Sequence, residues 1–558
     1  MMKKILGLIL ISTVLSCNTL GSKDGRTADI EITERNIPFV WEAANVYFLL
    51  TDRFNNADPS NDVNFGRTEE TAVLRGFEGG DLKGITEKIN EGYFTDLGIN
   101  TIWMTPVVEQ IHGYTDEGTG ITYGYHGYWT KDWTAIDPNY GTEDDLRELV
   151  DAAHSKGIRI LLDAVINHTG PVTEKDPVWP KEWVRNHTPC TYQDYETTIT
   201  CTLVENLPDI RTESDEEVDL PPQLVEKWKA EGRYEEEIAE LDEFFERTGH
   251  PRAPRFYIMK WLADYITDFG IDGYRVDTVK HTEEYVWNEF RQVADHAFAE
   301  YKRLNPEKVL DDNEFYMVGE VYNYGISSGR AFDFGDKKVD YFDNGFESLI
   351  NFEFKWNARQ QDLESIFTRY DGILNSDLEN FWVLNYLTSH DDHDPFDKER
   401  EKPFETATIL LLSPGTSQVY YGDESSRSLI IEGAIGDANL RSNMNWDQIA
   451  ADDHVGEVLS HWQKLGQFRA AHPAVGAGKH EMISEEPYYF SRTYTAGDFK
   501  DKVVIGIDLP KGRKVVDVSS AFENGDRIID KYSNTSLEVK EGKVEIDSDF
   551  DILLLAKD

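Results

Sequence analysis

Gly273-Tyr274-Arg275-Val276-Asp277 sets a cation and an acid two residues apart in a run that reads as a buried strand. Side chains alternate faces along a strand, so Arg275 and Asp277 share one side and Tyr274 and Val276 take the other. A guanidinium fixed beside a carboxylate keeps it ionised and aims its oxygens. Similar runs recur at Asn45–Leu50, Ile99–Met104, Ile158–Asp163, Ile271–Asp277, Phe315–Glu320, Leu349–Phe352, Trp382–Leu387 and Ser417–Tyr421. Helical patterns such as Glu143–Lys156 and Phe256–Asp268 lie between them. Eight strands alternating with helices predict an α/β fold, a (β/α)8 TIM barrel, with functional side chains at the C-terminal strand ends. An open doubly wound sheet shows the same alternation, so periodicity alone does not separate the two.

Working outward, more than a hundred residues separate the third and fourth strands, far beyond an ordinary connection. The spacing predicts an insert domain over residues 170–255 and a barrel built from 41–169 and 256–474. Within the insert, Ile238, Leu241, Phe244 and Phe245 form a helical stripe that reads as a packing face. The very acidic segment after Thr212 has no evident place. Beyond residue 474 the helical pattern stops. Short strands such as Val503–Ile507 and Ile552–Leu555, with the turn Glu523-Asn524-Gly525, predict a C-terminal antiparallel β-sandwich over 475–558.

Charge narrows the partners. The chain of 558 residues carries 56 basic and 104 acidic side chains, a net charge of −48. Such a field repels nucleic acid and anionic membrane surfaces and attracts divalent cations. Aromatic residues make up 12% of the chain, a share that serves either a core or stacking on sugar rings.

At the N-terminus, Lys3 and Lys4 precede the apolar run Ile5 to Leu15, too short for a permanent membrane span. Val14-Leu15-Ser16-Cys17 resembles the lipobox of bacterial lipoproteins. That resemblance implies a signal peptide over 1–16, a lipid anchor on Cys17, a polar tether over 17–40 and attachment to the outer membrane, facing periplasm or cell surface. A plain secretory signal with an incidental cysteine is the alternative. Cys190 and Cys201 are the other cysteines, and an oxidising compartment would allow them to pair. Their spacing suits no zinc site.

Two further acids end strands as Asp277 does. Glu320 closes Val318-Gly319-Glu320, and Asp391 follows the seventh strand in Ser389-His390-Asp391. Singly, each could be a capping or salt-bridge group. Together, at three strand ends of one barrel, they can converge on one cleft. Two such acids ~5–5.5 Å apart equip a retaining glycosidase, one attacking the anomeric carbon and one protonating the leaving oxygen. With Asp163-Ala164-Val165-Ile166-Asn167-His168, with Gly273 to His281, and with the segments around Glu320 and Asp391, the sequence resembles glycoside hydrolase family 13, the α-amylase family. The resemblance runs over nearly the whole chain after the leader. It implies Asp277 as nucleophile, Glu320 as general acid/base and Asp391 as the carboxylate that holds sugar hydroxyls. Arg275 and His390 resemble the family's helpers, Asp163 the acid supporting the arginine, and Lys280 a sugar-contacting lysine. In Tyr125-His126-Gly127-Tyr128-Trp129, Tyr128 would stack on the sugar and His126 bind its hydroxyls. Gly422 to Arg427, Asn443-Met444-Asn445-Trp446 and His461-Trp462-Gln463-Lys464 are similar to the periplasmic α-amylases of Gram-negative bacteria.

The resemblance also implies two Ca²⁺ sites. Asp52 to Asp62 crowds oxygen side chains into one turn, as hard Ca²⁺ requires, although an Asx-rich turn without metal fits the same string. Asn56, Asp58, Asn61, Asp62, the carbonyl of Gly79 and Asp81 would form the first site. Asn167, Asp209 and the carbonyl of His281 would form the second, although His281 could serve only as a cleft residue. The expected substrate is an α-glucan or maltodextrin, cut by a monomer. A glucanotransferase, an α-1,6-acting enzyme and a non-catalytic starch-binding lipoprotein are the competing readings.

Overall fold

The computed structural model describes residues 37–557 except 117 and 187. The signal, Cys17 and most of the tether lie outside the described residues. Pro38 onward forms one compact unit.

Eight parallel strands close a barrel: β1 (Asn45–Leu49), β2 (Thr101–Met104), β3 (Arg159–Ala164), β4 (Gly273–Val276), β5 (Tyr316–Gly319), β6 (Ser348–Asn351), β7 (Trp382–Tyr386) and β8 (Thr416–Tyr420). The order around the barrel is sequential, and β1 pairs with both β2 and β8. Closure excludes the open sheet. All eight sequence-predicted strands are present, with ends shifted by a residue or two. The second starts at Thr101 because the Ile99 amide turns back to the Phe94 carbonyl at 2.9 Å. Every residue of β3, β4 and β5 is buried, as strands walled on both faces require.

Register decides which side chains meet. Arg275 lies opposite Asp163 on β3 and Val318 on β5, and Val276 lies opposite Gly319. The next residues on β4 and β5 are Asp277 and Glu320, so both emerge side by side at the same barrel end. Gly273 keeps these strands close, since a Cβ there would stand 2.4 Å from the Tyr316 carbonyl oxygen.

Between β3 and β4, the acidic segment becomes two helices, Pro222–Glu231 and Tyr234–Thr248. Leu241, Phe244 and Phe245 are buried and Ile238 packs beside them, as the stripe predicts. Trp183 and Trp228 meet Trp261 of the barrel helix Pro254–Phe269, each with ring centroids 6.2 Å apart. Buried Asp132 receives Lys227 at 2.8 Å and Arg233 at 2.9 Å. Burial works against that carboxylate's charge, but the two cations hold its pKa below the ordinary value. The acidic segment is thus tied to the barrel by its few cations. Cys190 and Cys201 form a disulfide.

The C-terminal region has a six-stranded antiparallel sheet ordered Lys479–Ser484, Tyr488–Ala496, Phe499–Ile507, Leu553–Lys557, Arg527–Asp530 and Thr535–Glu538. A second sheet pairs Gly512–Asp517 with Lys543–Ser548. Val504, Leu553 and Leu555 from the first pack with Val516, Val544 and Ile546 from the second, giving a sandwich core. No helix among the described residues is long and apolar enough to cross a membrane.

Candidate active site

Arg275 is the hub of the strand ends. Its Nη1 lies 2.9 Å from Asp163 Oδ1 and 2.8 Å from Asp277 Oδ1, and its Nη2 lies 3.0 Å from Glu320 Oε1. Asp163 also accepts hydrogen bonds from Trp103 Nε1 at 3.1 Å and the Tyr128 hydroxyl at 2.9 Å. One cation therefore serves three buried acids. Thr278, with φ of 49°, bends the chain directly after Asp277, and its backbone N–H donates to Glu320 Oε2 at 3.0 Å. A left-handed β-branched residue is strained, and such strain persists where surrounding structure imposes it.

Three acids around one guanidinium do not all ionise together. Burial lifts Asp277 to about 6, against the pull of Arg275. Burial lifts Asp163 likewise to about 6. Glu320 rises to about 8, chiefly from burial, with the negative charges of Asp277 and Asp391 adding to it. Near neutral pH the cluster thus holds an ionised Asp277 beside a protonated Glu320. Asp391 differs: its side chain is 37% exposed, against 8% for Asp277 and for Glu320. Burial opposes its charge, but His390, Arg275 and Arg441 hold its carboxyl below the ordinary value.

Asp277, Glu320, His390, Asp391 and Arg441 line a cavity of about 720 Å³. One wall is a row of rings. Tyr128 stacks on His390 at 5.3 Å and on His126 at 5.8 Å, with interplanar angles of 19° and 22°. Burial pushes His390 down to about 3 and His126 well below its ordinary value, so both imidazoles are neutral donor–acceptors. On the Glu320 side, Lys280 Nζ donates to the Tyr322 carbonyl at 3.2 Å and lies 5.7 Å from the Tyr192 ring. His281 lines the cavity, and His168 closes the floor beside it.

Sequence reasoning missed several lining residues. Tyr322 stands two residues beyond Glu320, a visible signal. Asp437 and Arg441, paired at 2.7 Å, have i,i+4 spacing that could have exposed them. Arg75 also binds Asp437 at 2.7 Å, and no local pattern marks it. Tyr192 reaches the cavity through the disulfide-closed loop.

The two calcium-type sets are brought together to different degrees. In the first, Asn56 Nδ2 donates to Asp62 Oδ1 at 2.9 Å, and Asp81 accepts from the Ala57 and Asp58 amides at 3.1 and 2.8 Å. Gly79, with φ of +94°, lies so close that an added Cβ would stand 2.4 Å from Asn56 Nδ2 and 2.6 Å from Asp62 Oδ1. The buried Asn61 Oδ1 has no hydrogen-bond partner. Lys83 occupies one oxygen of Asp58 at 2.6 Å. In the second set, the Ile210 amide donates to the Asn167 carbonyl at 2.8 Å, which seats Asp209 beside that strand end. Asp209 Oδ2 is buried without a hydrogen bond, 3.2 Å from Arg185 Nε. Burial drives its carboxyl well above the ordinary value. The His281 ring is engaged by the Thr198 carbonyl at 2.9 Å, leaving a metal role to its main-chain oxygen. Among the described residues, no group of three or more His, Cys, Asp or Glu side chains is placed to hold a metal ion.

A protonated acid beside an ionised one, at the mouth of a closed β/α barrel, is the equipment of a glycoside hydrolase. Residues 48–463 match the family described as alpha amylase, catalytic domain, and the chain belongs to that family of glycoside hydrolases. It is 36% identical over 531 residues to the periplasmic alpha-amylase of Escherichia coli K12, covering 85% of this chain and 73% of that one. It is 27% identical over 476 residues to a cyclomaltodextrin glucanotransferase of Geobacillus stearothermophilus, covering 83% of this chain and 59% of that one. The solved α-amylase of Geobacillus thermoleovorans, complexed with acarbose, shares the fold with a TM-score of 0.64 at 22% identity. That match covers 93% of this chain and 99% of that one.

Proposed function

We propose that the protein is a retaining α-amylase that cuts internal α-1,4 bonds of starch, glycogen or maltodextrins. The observation that carries this reading is the single Arg275 guanidinium bound to both Asp277 and Glu320. Asp277, ionised, attacks the anomeric carbon while Glu320 gives its proton to the departing glycosidic oxygen. Glu320 is then a base and takes a proton from water as the water oxygen attacks the anomeric carbon, and the bond to Asp277 breaks to return its carboxylate. Asp391 accepts hydroxyl hydrogen bonds of the distorted sugar. Tyr128 packs on its ring, and His126 and His390, being neutral, bind its hydroxyls. Lys280 binds the leaving side. Two inversions leave an α-anomer. An inverting enzyme would need its carboxyls ~6.5–9.5 Å apart, whereas consecutive strands lie only ~4.8 Å apart. Proton NMR of the nascent product, read before mutarotation, tests this: an α signal first is expected, and a β signal first overturns the roles of Asp277 and Glu320.

Calcium belongs to the same proposal. Asn56, Asp58, Asn61, Asp62, the Gly79 carbonyl and Asp81 would hold one ion, and Asn167, Asp209 and the His281 carbonyl a second. Bound there, the ions would supply cross-links between loops and the barrel and take no part in bond cleavage. Export is supported by likeness to a protein described as periplasmic, whereas a lipid anchor on Cys17 rests on the leader sequence alone. A monomer as the working form is part of the same proposal.

A glucanotransferase would use the same acids with a sugar hydroxyl in place of water, and the likeness to a cyclomaltodextrin glucanotransferase favours testing it. Maltoheptaose yielding only shorter products supports hydrolysis, whereas longer or cyclic products support transfer.

A further inference from the structure

Asp391 is held less directly than Asp277 and Glu320, which both bind Arg275. Among the described residues its carboxylate has one hydrogen bond, from Ser389 Oγ at 3.2 Å, and His390 Nε2 stands 3.9 Å away. The direction of this half-open side chain is therefore set by the loop that carries it, which follows β7.

That loop is tied down by the next residue. Asp392 Oδ2 accepts from the Tyr386 hydroxyl at 2.9 Å and from Lys355 Nζ. Tyr386 is the last residue of β7, and Lys355 lies in the short helix Phe354–Gln360 that leaves β6, the strand beside β7. Lys355 is buried, pairs with Asp392 and otherwise faces the Trp356 ring at 4.8 Å. Burial, with the charges of Asp392 and Asp391 added to it, drives the Tyr386 hydroxyl well above its ordinary value, so it keeps its proton and donates. Arg359, one turn along the same helix, holds the loop farther on through Asp394 at 2.8 Å.

Breaking a largely buried ion pair leaves one charge without compensation. Freed of Lys355, Asp392 would stand as a second negative charge beside Asp391, with its carboxylate no longer fixed. Asp391 lines the catalytic cavity and Lys355 does not. We propose that Lys355 is a positioning residue: by holding Asp392 against Tyr386, it aims the adjoining Asp391 at the sugar without touching substrate. The inference rests on the glycosidase reading above, in which Asp391 holds hydroxyls of the distorted sugar. A contact made to the distorted sugar is strongest in the transition state, so its loss falls on kcat more than on KM.

Lys355→Met keeps the reach of the side chain and removes its charge. Its kcat on maltoheptaose should fall roughly ten- to hundredfold, with KM changed less than about threefold. Lys355→Arg, which can pair with Asp392 again, should bring kcat to within about threefold of the parent. Asp392→Asn keeps the shape of the loop and should lower kcat as Lys355→Met does, so it carries the test if the methionine variant does not fold. The decisive measurement is a cycle with Asp391→Asn, followed on a nitrophenyl maltoheptaoside whose good leaving group keeps residual turnover measurable. With Asp391 already replaced, Lys355→Met should cost less than about twofold. A full loss in that background, a loss in KM alone, or parent-like kcat in folded Lys355→Met overturns the inference and leaves the catalytic reading standing. So does an equal fall of kcat in Arg359→Gln, which would mean that the helix merely staples the loop. Failure of the parent to cut any α-glucan would overturn the catalytic reading and this inference together.

Discussion

Two clusters of oxygen side chains, one at the strand ends and one in the Asx-rich loop, use similar residues toward opposite ends. At the strand ends, Asp163, Asp277 and Glu320 are buried around Arg275, and burial lifts their pKa values to about 6, 6 and 8. In the loop, hydrogen bonds from Lys83 and Ser60 pull partly exposed Asp58 down to about 2, while burial lifts Asp81 above its ordinary value. Burial makes acids exchange protons near neutral pH, whereas exposure with donor contacts keeps an acid charged at every working pH. The first arrangement suits acid–base chemistry and the second suits holding a cation.

The sharpest way to break this comparison is Asp277→Asn. An amide cannot form the covalent glycosyl ester, so turnover of maltoheptaose should fall roughly 10³-fold or more with the fold intact by circular dichroism. Near-parent activity would remove Asp277 from the chemistry.

The pH profile is the next largest effect. Below about 6, protonation of the Asp163–Asp277 pair should lower kcat/KM about tenfold per unit. Above about 8, Glu320 loses the proton the leaving oxygen needs, and the rate should fall again. A flat profile from pH 5 to 9 would contradict the burial of this cluster. The same shifts bear on stability. Folded Glu320 keeps a proton that the unfolded chain, with its ordinary value of 4.5, gives up earlier. Its contribution therefore declines as pH rises from 4.5 to about 8 and is fullest below that interval.

Metal removal probes the loop. Ca²⁺ bound to the native state alone should raise Tm, and a chelator should lower it by about 2–6 °C, reversibly on adding Ca²⁺. An identical melting curve, with no calcium by elemental analysis, would make the loop a metal-free Asx turn.

The smallest effect concerns Lys83, whose ammonium takes an oxygen of Asp58 at 2.6 Å. Lys83→Ala should tighten Ca²⁺ binding, measured by titration of the chelated protein, and should make Tm more sensitive to chelator. Weaker Ca²⁺ binding in that variant would mean the lysine supports the site and does not compete with it.

Much of this site was legible because its signals are local. The two-residue spacing of Arg275 and Asp277 fixes a shared face, Glu320 closes an apolar run, and Asp391 follows another within five residues of its end. Of the paired helices after Thr212, the stripe of Ile238, Leu241, Phe244 and Phe245 was legible, but their place was not, because their acidic faces name no partner and their anchors, Lys227 and Arg233, act through the distant Asp132. Arg75 lay equally hidden, since its bond to Asp437 joins residues 362 positions apart.

Alternation of apolar and polar residues, strand-end acids and turn chemistry are properties of neighbours along the chain, and they sufficed for eight strands, the insert, the terminal sandwich and the acids that gather at the strand ends. Closure of the barrel, the register that seats Arg275 opposite Asp163, the proton on Glu320 and the pairing of Arg75 with Asp437 depend on which distant segments pack together. Burial depth and strand register are set by contacts across the whole fold, and those only the tertiary structure decides.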